Sequence, residues 1–301
     1  MRADAHSDYG RRAAAWLTDG GAQAQAAPGG PVELARPGED AAERAALAAW
    51  LEGWTAAGTL TLPAAVTADP DWRRGQALLD LGRRSPALTA WARVLQRNAD
   101  DAWTLAALAF AFREAGAHQL SILAAEKLAA LAPAGGDLPP ALGRLIYPLP
   151  FAGLIRQEAD RWGLEPLLLA AVIRQESRFE PAAASSASAQ GLMQIMPATA
   201  EWIAGQQGWR NFRPEQAYWP YINVDFGAYS LNWALKQLDG SLAAALAGYN
   251  GGPGNALRWR KLAPTDDDLM VALIDYGETR LYVQQVLNQL AFYRQLYAAG
   301  P

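Results

Sequence analysis

Cysteine is absent from this chain of 301 residues, and histidine occurs only at His6 and His118. Without cysteine the protein has no thiolate nucleophile and no disulfide, and a zinc site built from Cys and His ligands is untenable. A Ser-His-Asp triad would have to recruit one of two isolated histidines, which disfavours that class of site. Chemistry therefore has to rest on carboxylates and hydroxyls, and we predict neither a metal nor another cofactor.

Long apolar runs and a positive net charge are also missing. No stretch of about 20 apolar residues occurs, so no membrane-spanning helix is predicted. The first residues, MRADAHSDYGRRAAAWL, lack the apolar core of a secretory signal peptide, and none is predicted in this stretch. The net charge of −4 and the isoelectric point of about 5.3 argue against a nucleic acid as partner.

Hydrophobic residues make up 51% of the chain, which is ample for the cores of two units. We predict an all-α fold in three parts, because no segment shows a sustained alternating strand pattern. Residues 1–70 form an Ala-rich segment, partly helical or disordered. Residues 71–140 form a helical-repeat region and linker, and residues 141–301 form a nearly all-helical domain. Its predicted helices include 197–205, 223–239, 241–249, 267–275 and 278–297.

Between Trp72 and Pro133 the sequence is similar to itself at an offset of 34 residues. The offset places Gly82 on Gly116 and Ala90 on Ala124, with a glycine between two helical stretches. This period resembles that of tetratricopeptide-type helix pairs, which stack and bury apolar stripes between neighbouring helices. Chance similarity within an Ala- and Leu-rich segment is the alternative. As a function, a short helical array indicates a scaffold or a binding site for a protein partner.

The stretch from Leu167 to Pro197 changes character in its middle. An unbroken apolar run follows Pro166, a residue that suits the first turn of a helix, so a buried helix is predicted to begin there. The end of this run carries Glu176. Burial disfavours the ionised form of a carboxyl group and can make it a general acid near neutral pH. The alternative is that Glu176 pairs with Arg174 or Arg178, or faces water.

Three motifs in order resemble the signature of soluble lytic murein transglycosylases, which are relatives of goose-type lysozyme. The first is Glu176-Ser177 with the loop that leads to Gly191-Leu-Met-Gln-Ile-Met-Pro197. The others are Gly248-Tyr-Asn-Gly-Gly-Pro-Gly254 and Gly277-Glu-Thr-Arg-Leu-Tyr-Val283. The resemblance implies a lysozyme-like helical catalytic domain over residues 141–301, preceded by a short helical-repeat region. It also implies peptidoglycan glycan strands as partner, in the cell envelope, either periplasmic or extracellular.

In the resembled family a single glutamate acts as acid and then as base. It cleaves the β-1,4 bond between N-acetylmuramic acid and N-acetylglucosamine without water and leaves a 1,6-anhydromuramyl product. The resemblance assigns this role to Glu176. Substrate-assisted cleavage of this kind is an exception to the two-carboxylate rule of glycosidases. The residues that the resemblance implies in substrate binding are Ser185, Gln194, Met196, Tyr249, Asn250 and Glu278.

Several details of the sequence qualify this interpretation. A two-carboxylate glycosidase using Glu176 with Glu180 is a rival, but Pro181 disfavours helical geometry at Glu180. The family usually has Gly where Ser188 stands, and Asn is common at position 180. The run Gly251–Gly254 lacks the Gly-Lys-Ser/Thr ending of a phosphate loop and is predicted to form a tight turn. Candidates for a sugar-stacking surface are Trp202, Trp209, Trp219, Trp233 and Trp259.

Two other functions fit the same residues. A goose-type muramidase would hydrolyse the same bond on the same fold, because water instead of the C6 hydroxyl would attack. An inactive glycan-binding or scaffold module is the third interpretation. The intact Glu176-Ser177 pair argues against it, since loss of the acid is the expected mark of an inactive relative.

Overall fold

The computed structural model describes residues 39–134 and 136–297, and every regular element within these ranges is a helix. Two isolated bridges join Ala184 to Gln190 and Gln190 to Ile195. The all-α prediction is therefore confirmed. Within the described ranges no helix is long and apolar enough to cross a membrane. The interpretation of the first 38 residues lies outside the described part of the chain.

Backbone contacts divide the described chain into two compact units. The N-terminal unit contains residues 39–150 together with the short segment Arg178–Ala182. The C-terminal unit contains Phe151–Ser177 and residues 183–297. The chain thus passes out of the C-terminal unit for five residues, directly after Glu176 and Ser177. The boundaries predicted after residues 70 and 140 remain predictions.

The N-terminal unit is built from helices joined by short turns. Gly82 and Gly116 each have a φ of 68° in the turns of two helical hairpins, a conformation that glycine adopts without steric cost. These are the glycines that the 34-residue offset superposes, while the tetratricopeptide-type assignment itself remains a prediction. The helices are α1 (Glu39–Glu52), α2 (Ala64–Ala68), α3 (Pro70–Asp80), α4 (Arg84–Arg97), α5 (Ala102–Glu114), α6 (His118–Leu131) and α7 (Pro140–Ile146).

The core of the N-terminal unit centres on aromatic rings between the hairpins. Trp72 and Trp91 stack with ring centroids 5.1 Å apart, and the Trp91 indole N–H donates to the Trp72 carbonyl at 3.0 Å. Phe112 packs against both rings. Gly75 lets α3 approach Trp91, because a Cβ at this position would lie 2.2 Å from the indole nitrogen. Pairing of α3 with α4 therefore depends on a large residue facing a glycine.

Proline begins four of the eight α-helices described in the C-terminal unit, including those predicted to begin at Pro166 and Pro197. Ser241 caps the helix that follows it by accepting the Ala244 N–H at 3.1 Å. The helices are α8 (Ala152–Trp162), α9 (Pro166–Ser177), α10 (Pro197–Gln206), α11 (Pro220–Gln237), α12 (Leu242–Gly251), α13 (Pro253–Leu262), α14 (Asp267–Ala272) and α15 (Gly277–Tyr297), with a 3-10 helix at Pro214–Tyr218.

The turn predicted at Gly251–Gly254 is narrower than expected. Gly251 still belongs to α12, Gly252 alone has a left-handed φ of 88°, and Pro253 already begins α13. Helix α13 was not among the predicted helices. Helix α14 ends at Ala272, three residues earlier than predicted. The glycine-rich run therefore acts as a sharp corner between two helices.

Helix α9 is the buried centre of the C-terminal unit. Every residue from Leu167 to Ile173 is buried, as expected for a helix that is apolar on all sides. Helices α8 and α15 pack along it. At its beginning, Arg294 of α15 donates two hydrogen bonds to Glu165, at 2.9 and 2.5 Å. This bidentate pair fixes α15 to the start of α9 and so sets the register at the other end, where Glu176 lies.

Two glycines give a matched test of packing in the C-terminal unit. Gly227 of α11 faces Met193, and a Cβ there would lie 2.2 Å from the Met193 sulfur and 2.8 Å from its Cβ. Nothing lies within 4 Å of a Cβ at Gly205 of α10. We expect Gly227→Ala to lower the free energy of unfolding by about 1–3 kcal/mol through overpacking. Gly205→Ala is expected to raise it by about 0.4–1 kcal/mol. Denaturant unfolding followed by circular dichroism measures both, and equal stabilities would contradict the close contact.

Candidate active site

Glu176 lies in the last turn of α9, and its carboxyl group is partly buried. The Tyr282 hydroxyl of α15 donates a hydrogen bond to Glu176 Oε1 at 2.7 Å. Burial raises the pKa of Glu176 to about 7, and the hydrogen bond from Tyr282 opposes this rise. No arginine or lysine contributes to the pKa shift. The carboxyl group is thus half protonated near neutral pH, which suits a general acid that must also act as a base.

The alternative in which Glu176 pairs with a neighbouring arginine does not fit this geometry. Arg178 forms its ion pair with Glu126, at 3.9 Å. Arg174 is buried on α9 and has no effect on the pKa of Glu176. Glu180, the second carboxylate of the rival interpretation, is bound by Arg84 through two hydrogen bonds of 2.7 and 2.8 Å. A Glu176–Glu180 pair is therefore not present.

Two tyrosines lie close to Glu176, and they have different partners. Tyr282 donates to the carboxyl group, whereas the Tyr249 hydroxyl of α12 donates to the Met193 carbonyl at 2.8 Å. Burial and the charge of Glu176 raise the pKa of both phenols well above the usual range, so both remain neutral donors. The phenol that donates to Glu176 is therefore Tyr282, while the substrate-binding role of Tyr249 remains a prediction. Tyr282 was visible in the sequence only as part of the third motif.

A pair of glutamine contacts fixes α9 beside the acid. Gln175 Nε2 donates to Gln285 Oε1 at 2.8 Å, and Gln289 Nε2 donates to Gln175 Oε1 at 2.6 Å. Both partners lie on α15, the helix that also carries Tyr282. These contacts hold the last turn of α9 against the donor of the Glu176 hydrogen bond. Sequence analysis did not identify Gln175, because nothing near it in the chain signals a partner 110 residues away.

The loop after Glu176 is tied back to α9 and to the rest of the C-terminal unit. The Ser177 hydroxyl donates to the Leu192 carbonyl at 2.8 Å. Gln194, whose φ is 50°, donates from its side-chain amide to the Gly191 carbonyl at 2.9 Å and to the Ala183 carbonyl at 3.2 Å. Together with the Tyr249 contact, these bonds close the loop on itself beside the carboxyl group. The loop is therefore a rigid wall of the site.

Asn223 of α11 is the buried anchor of this loop. Its side-chain amide donates to the Gln190 carbonyl at 2.7 Å and to the Ala217 carbonyl at 2.6 Å, and its oxygen accepts the Met193 N–H at 2.6 Å. Gly191 lies directly on it, with a φ of 76° and room for no Cβ, which would lie 2.4 Å from the amide nitrogen. Sequence analysis missed Asn223, although an Asn between Ile and Val in an apolar helix requires buried partners.

Ser185 and Ser188 have backbone roles in the loop. The exposed Ser185 accepts the Ala187 N–H at 3.2 Å and the Ala189 N–H at 3.0 Å through its hydroxyl, which closes its own turn. Ser188 has a φ of 67°, in the left-handed region that favours glycine. This conformation explains why glycine suits position 188, where the chain departs from the family pattern. Binding of substrate by Ser185 and Gln194 remains a prediction.

Asn250 and Glu278 line one cavity, where the end of α12 meets the start of α15. Asn250 Oδ1 accepts the Thr279 hydroxyl at 2.7 Å, which joins the end of α12 to the start of α15. An open cavity of about 350 Å³ is lined by Asn250, Gly251, Tyr276, Gly277, Glu278 and Thr279. The side chains of Asn250 and Glu278 are exposed, so they are accessible to a ligand in this cavity.

The methionine and tryptophan side chains that were predicted to contact the glycan differ in their exposure to solvent. Met196, directly before α10, is 42% exposed, and Trp202, Trp209 and Trp219 are also exposed. Trp233 packs against Trp202, with ring centroids 5.7 Å apart. Trp259 is fully buried, and its indole N–H donates to Asp275 at 2.8 Å, so it is a core residue and not a sugar platform. The described residues contain no group of three or more acidic or histidine side chains that could ligate a metal ion.

Comparison with known proteins shows which family and which relatives this chain resembles. Residues 153–270 match the family described as Transglycosylase SLT domain. The soluble lytic murein transglycosylase of Salmonella typhimurium is 32% identical over 151 residues, which are 49% of this chain and 23% of that protein. Its counterpart from Escherichia coli K12 is 30% identical over 158 residues, 52% of this chain and 24% of that protein. The chain thus spans about a quarter of the length of these relatives.

A solved structure agrees with the sequence matches. The crystal structure of the 70-kDa soluble lytic transglycosylase from Escherichia coli superposes with a TM-score of 0.67 and 26% identity. The superposition covers 78% of this chain and 37% of that one. The family match over residues 153–270 ends before the third motif, which contains Glu278 and Tyr282. By its matched residues, its all-α lysozyme-like fold and its structural likeness, the C-terminal unit is similar to the transglycosylase SLT domain family.

Proposed function

We propose that this protein is a peptidoglycan lytic transglycosylase that cleaves the β-1,4 bond between N-acetylmuramic acid and N-acetylglucosamine without water. The observation that carries the proposal is the isolated carboxyl group of Glu176, whose burial raises its pKa to about 7 and whose oxygen accepts the Tyr282 hydroxyl. The names of the curated relatives support murein as the substrate. Action of this protein in the cell envelope is part of the same proposal.

In the first step Glu176 acts as a general acid. Its carboxyl proton moves to the glycosidic oxygen as the bond from that oxygen to the muramyl C1 breaks. The leaving N-acetylglucosamine thereby gains a free hydroxyl, and C1 acquires the character of an oxocarbenium ion. In this proposal the 2-acetamido group of the substrate, instead of a second carboxylate beside Glu176, stabilises C1.

In the second step the same residue acts as a base. The Glu176 carboxylate takes the proton of the muramyl C6 hydroxyl, and the C6 oxygen forms a bond to C1. This closes the 1,6-anhydro ring and leaves Glu176 protonated for the next cycle, so no water is consumed. A pKa of about 7 serves both steps, because the group gives up and regains a proton with similar ease near neutral pH.

The two tyrosines support this proton cycle without taking part as acids. Tyr282 donates to Glu176 in either protonation state, which stabilises the carboxylate after the first step. Tyr249 holds the Met193 carbonyl and thereby the loop that limits entry of water beside the carboxyl group. Exclusion of water separates this reaction from hydrolysis by a goose-type muramidase.

Substrate binding is proposed along the loop and the cavity. Asn250 and Glu278 offer an amide and a carboxylate to the polar groups of the glycan or its peptide at the cavity. Ser185, Gln194, Met196 and Tyr249 are proposed to contact the glycan from the loop side. A protein partner for the helical hairpins remains a prediction.

The first test compares products released from purified murein sacculi by the wild type and by Glu176→Gln. We expect anhydromuropeptides from the wild type and a loss of about 10²–10⁴-fold in rate for the variant, because the general acid is removed. Glu201→Gln, an exposed glutamate on α10, is the matched control and is expected to leave the rate unchanged. Mass spectrometry identifies the products.

Two outcomes of this comparison would contradict the proposal. Reducing-end muropeptides, heavier by one water, would identify a hydrolytic muramidase. A folded wild-type protein that binds sacculi without releasing Glu176-dependent products would identify a binding module.

The pH dependence of kcat/KM follows from the pKa of Glu176. The protonated carboxyl group is the active form in the first step, so raising the pH through about 7 removes it. We expect kcat/KM to fall about tenfold per pH unit above this value. Initial rates on soluble glycan strands measure the profile, and a limb that begins near pH 4.5 would show that Glu176 has the ordinary pKa of a glutamate.

Replacement of each tyrosine by phenylalanine separates their roles. The Tyr282 hydrogen bond lowers the pKa of Glu176, so Tyr282→Phe is expected to move the alkaline limb to higher pH and to lower kcat. Tyr249→Phe removes a bond to the Met193 carbonyl instead, and we expect lower kcat without an upward shift of the limb. Identical profiles for the two variants would contradict this division.

A further inference from the structure

The segment Arg178–Ala182 has unfavourable backbone geometry directly after the candidate acid. Arg178 and Phe179 have φ values of 49° and 61°, in the left-handed region that residues with a side chain rarely adopt. Such conformations persist where the surrounding structure holds them in place. Phe179 is fully buried, and this segment belongs to the N-terminal unit. The contacts that hold this segment therefore lie in the N-terminal unit.

Glu180 supplies the strongest of these contacts. Arg84 Nε donates to Glu180 Oε1 at 2.7 Å, and Arg84 Nη2 donates to Oε2 at 2.8 Å. Glu180 is 5% exposed and also accepts the Ala182 N–H through Oε1 at 3.2 Å. A bidentate arginine–carboxylate pair with this little solvent fixes both position and orientation. The pair acts as a clamp on the backbone four residues beyond Glu176.

Arg84 is itself held at the turns of both helical hairpins. It is the first residue of α4, just after the turn at Gly82, and its Nη2 donates to the Gly116 carbonyl in the turn between α5 and α6 at 2.7 Å. The guanidinium group thus links two hairpin turns to Glu180. Burial is the main cause that lowers the pKa of His118 to about 4, and the charges of Arg84 and Glu180 also act on this pKa. Near neutral pH His118 is uncharged and leaves the ion pair undisturbed.

We propose that Arg84 and Glu180 are positioning residues for Glu176, because their ion pair fixes the backbone that follows Ser177. The inference rests on the proposed function of Glu176. Its physical basis is that the last turn of α9 is fixed by the Gln175 contacts before Glu176 and by the clamped segment after Ser177. A displacement of the order of 1 Å at an acid costs up to about 100-fold in rate.

The test uses the full chain and a control pair in the same unit. Arg84→Ala leaves Glu180 buried without its partner and can unfold the unit, so Arg84→Met combined with Glu180→Gln removes both charges together. Arg84→Lys keeps the charge but not the fork of two hydrogen bonds. Arg93→Ala is the control, because Arg93 makes a bidentate pair with Asp71 at 3.2 and 2.7 Å that is more exposed. Thermal unfolding establishes which variants are folded.

Rates on glycan strands give the first readout. We expect the double variant to lose about tenfold in kcat, with KM unchanged within about twofold, since orientation and not binding is impaired. Arg84→Lys should recover part of the loss, and Arg93→Ala should match the wild type. A folded double variant with the kcat and pH profile of the wild type would overturn the inference. So would an equal loss in Arg93→Ala, which would indicate a general effect of stability.

A second readout does not depend on activity. Titration of the Glu176 side-chain carbon by NMR, assigned with Glu176→Gln, reports the surroundings of the carboxyl group directly. We expect a pKa of about 7 in the wild type and in Arg93→Ala, and a value closer to the ordinary 4.5 in the double variant. If the wild type releases no product, the proposed function fails while this titration still decides whether the clamp positions Glu176. An unchanged titration in a folded double variant would overturn the clamp.

Discussion

Removal of one carboxyl group from water is the constraint on which the site depends. The hydration of an ionised carboxylate is worth many kcal/mol, so a group that loses it shifts its pKa unless a cation compensates. At Glu176 no cation does so, and a neutral phenol provides a single hydrogen bond. The apolar helix α9, the glutamine contacts with α15 and the loop held by Asn223 all serve this one condition. Together they hold the surroundings of the carboxyl group in place.

Local patterns in the sequence predicted the helices whose start and burial depend on residues close together in the chain. Pro166 and Pro197 begin helices because they fix the first turn, and the apolar run after Pro166 is buried because a helix without a polar face has no other place. Helix α13 was missed because glycine and proline in one run indicated a longer turn, whereas Gly252 alone makes the corner. The backbone angle of this one glycine, and not the glycine and proline content of the run, determines the length of the turn.

Contacts between distant parts of the chain could not be predicted from the sequence. Tyr282 lies 106 residues from Glu176, and Gln289 lies 114 residues from Gln175. No periodicity or spacing in the sequence encodes which of two nearby phenols donates to the acid. Asn223 left a weaker signal as a polar residue in an apolar helix, but its three partners are backbone groups that no side-chain pattern reveals.

The five residues Arg178–Ala182 also bear on how such a chain can be divided. A fragment that begins at residue 151 would contain every side chain around Glu176, yet it would lack Arg84. Glu180 would then be left without its partner and without the unit that buries it. The left-handed backbone at Arg178 and Phe179 would lose part of what holds it in place. A fragment that keeps the Arg84–Glu180 pair therefore has to extend well upstream of the matched residues 153–270, and an exchange of the C-terminal unit between relatives would have to carry Arg84 with it to keep this pair.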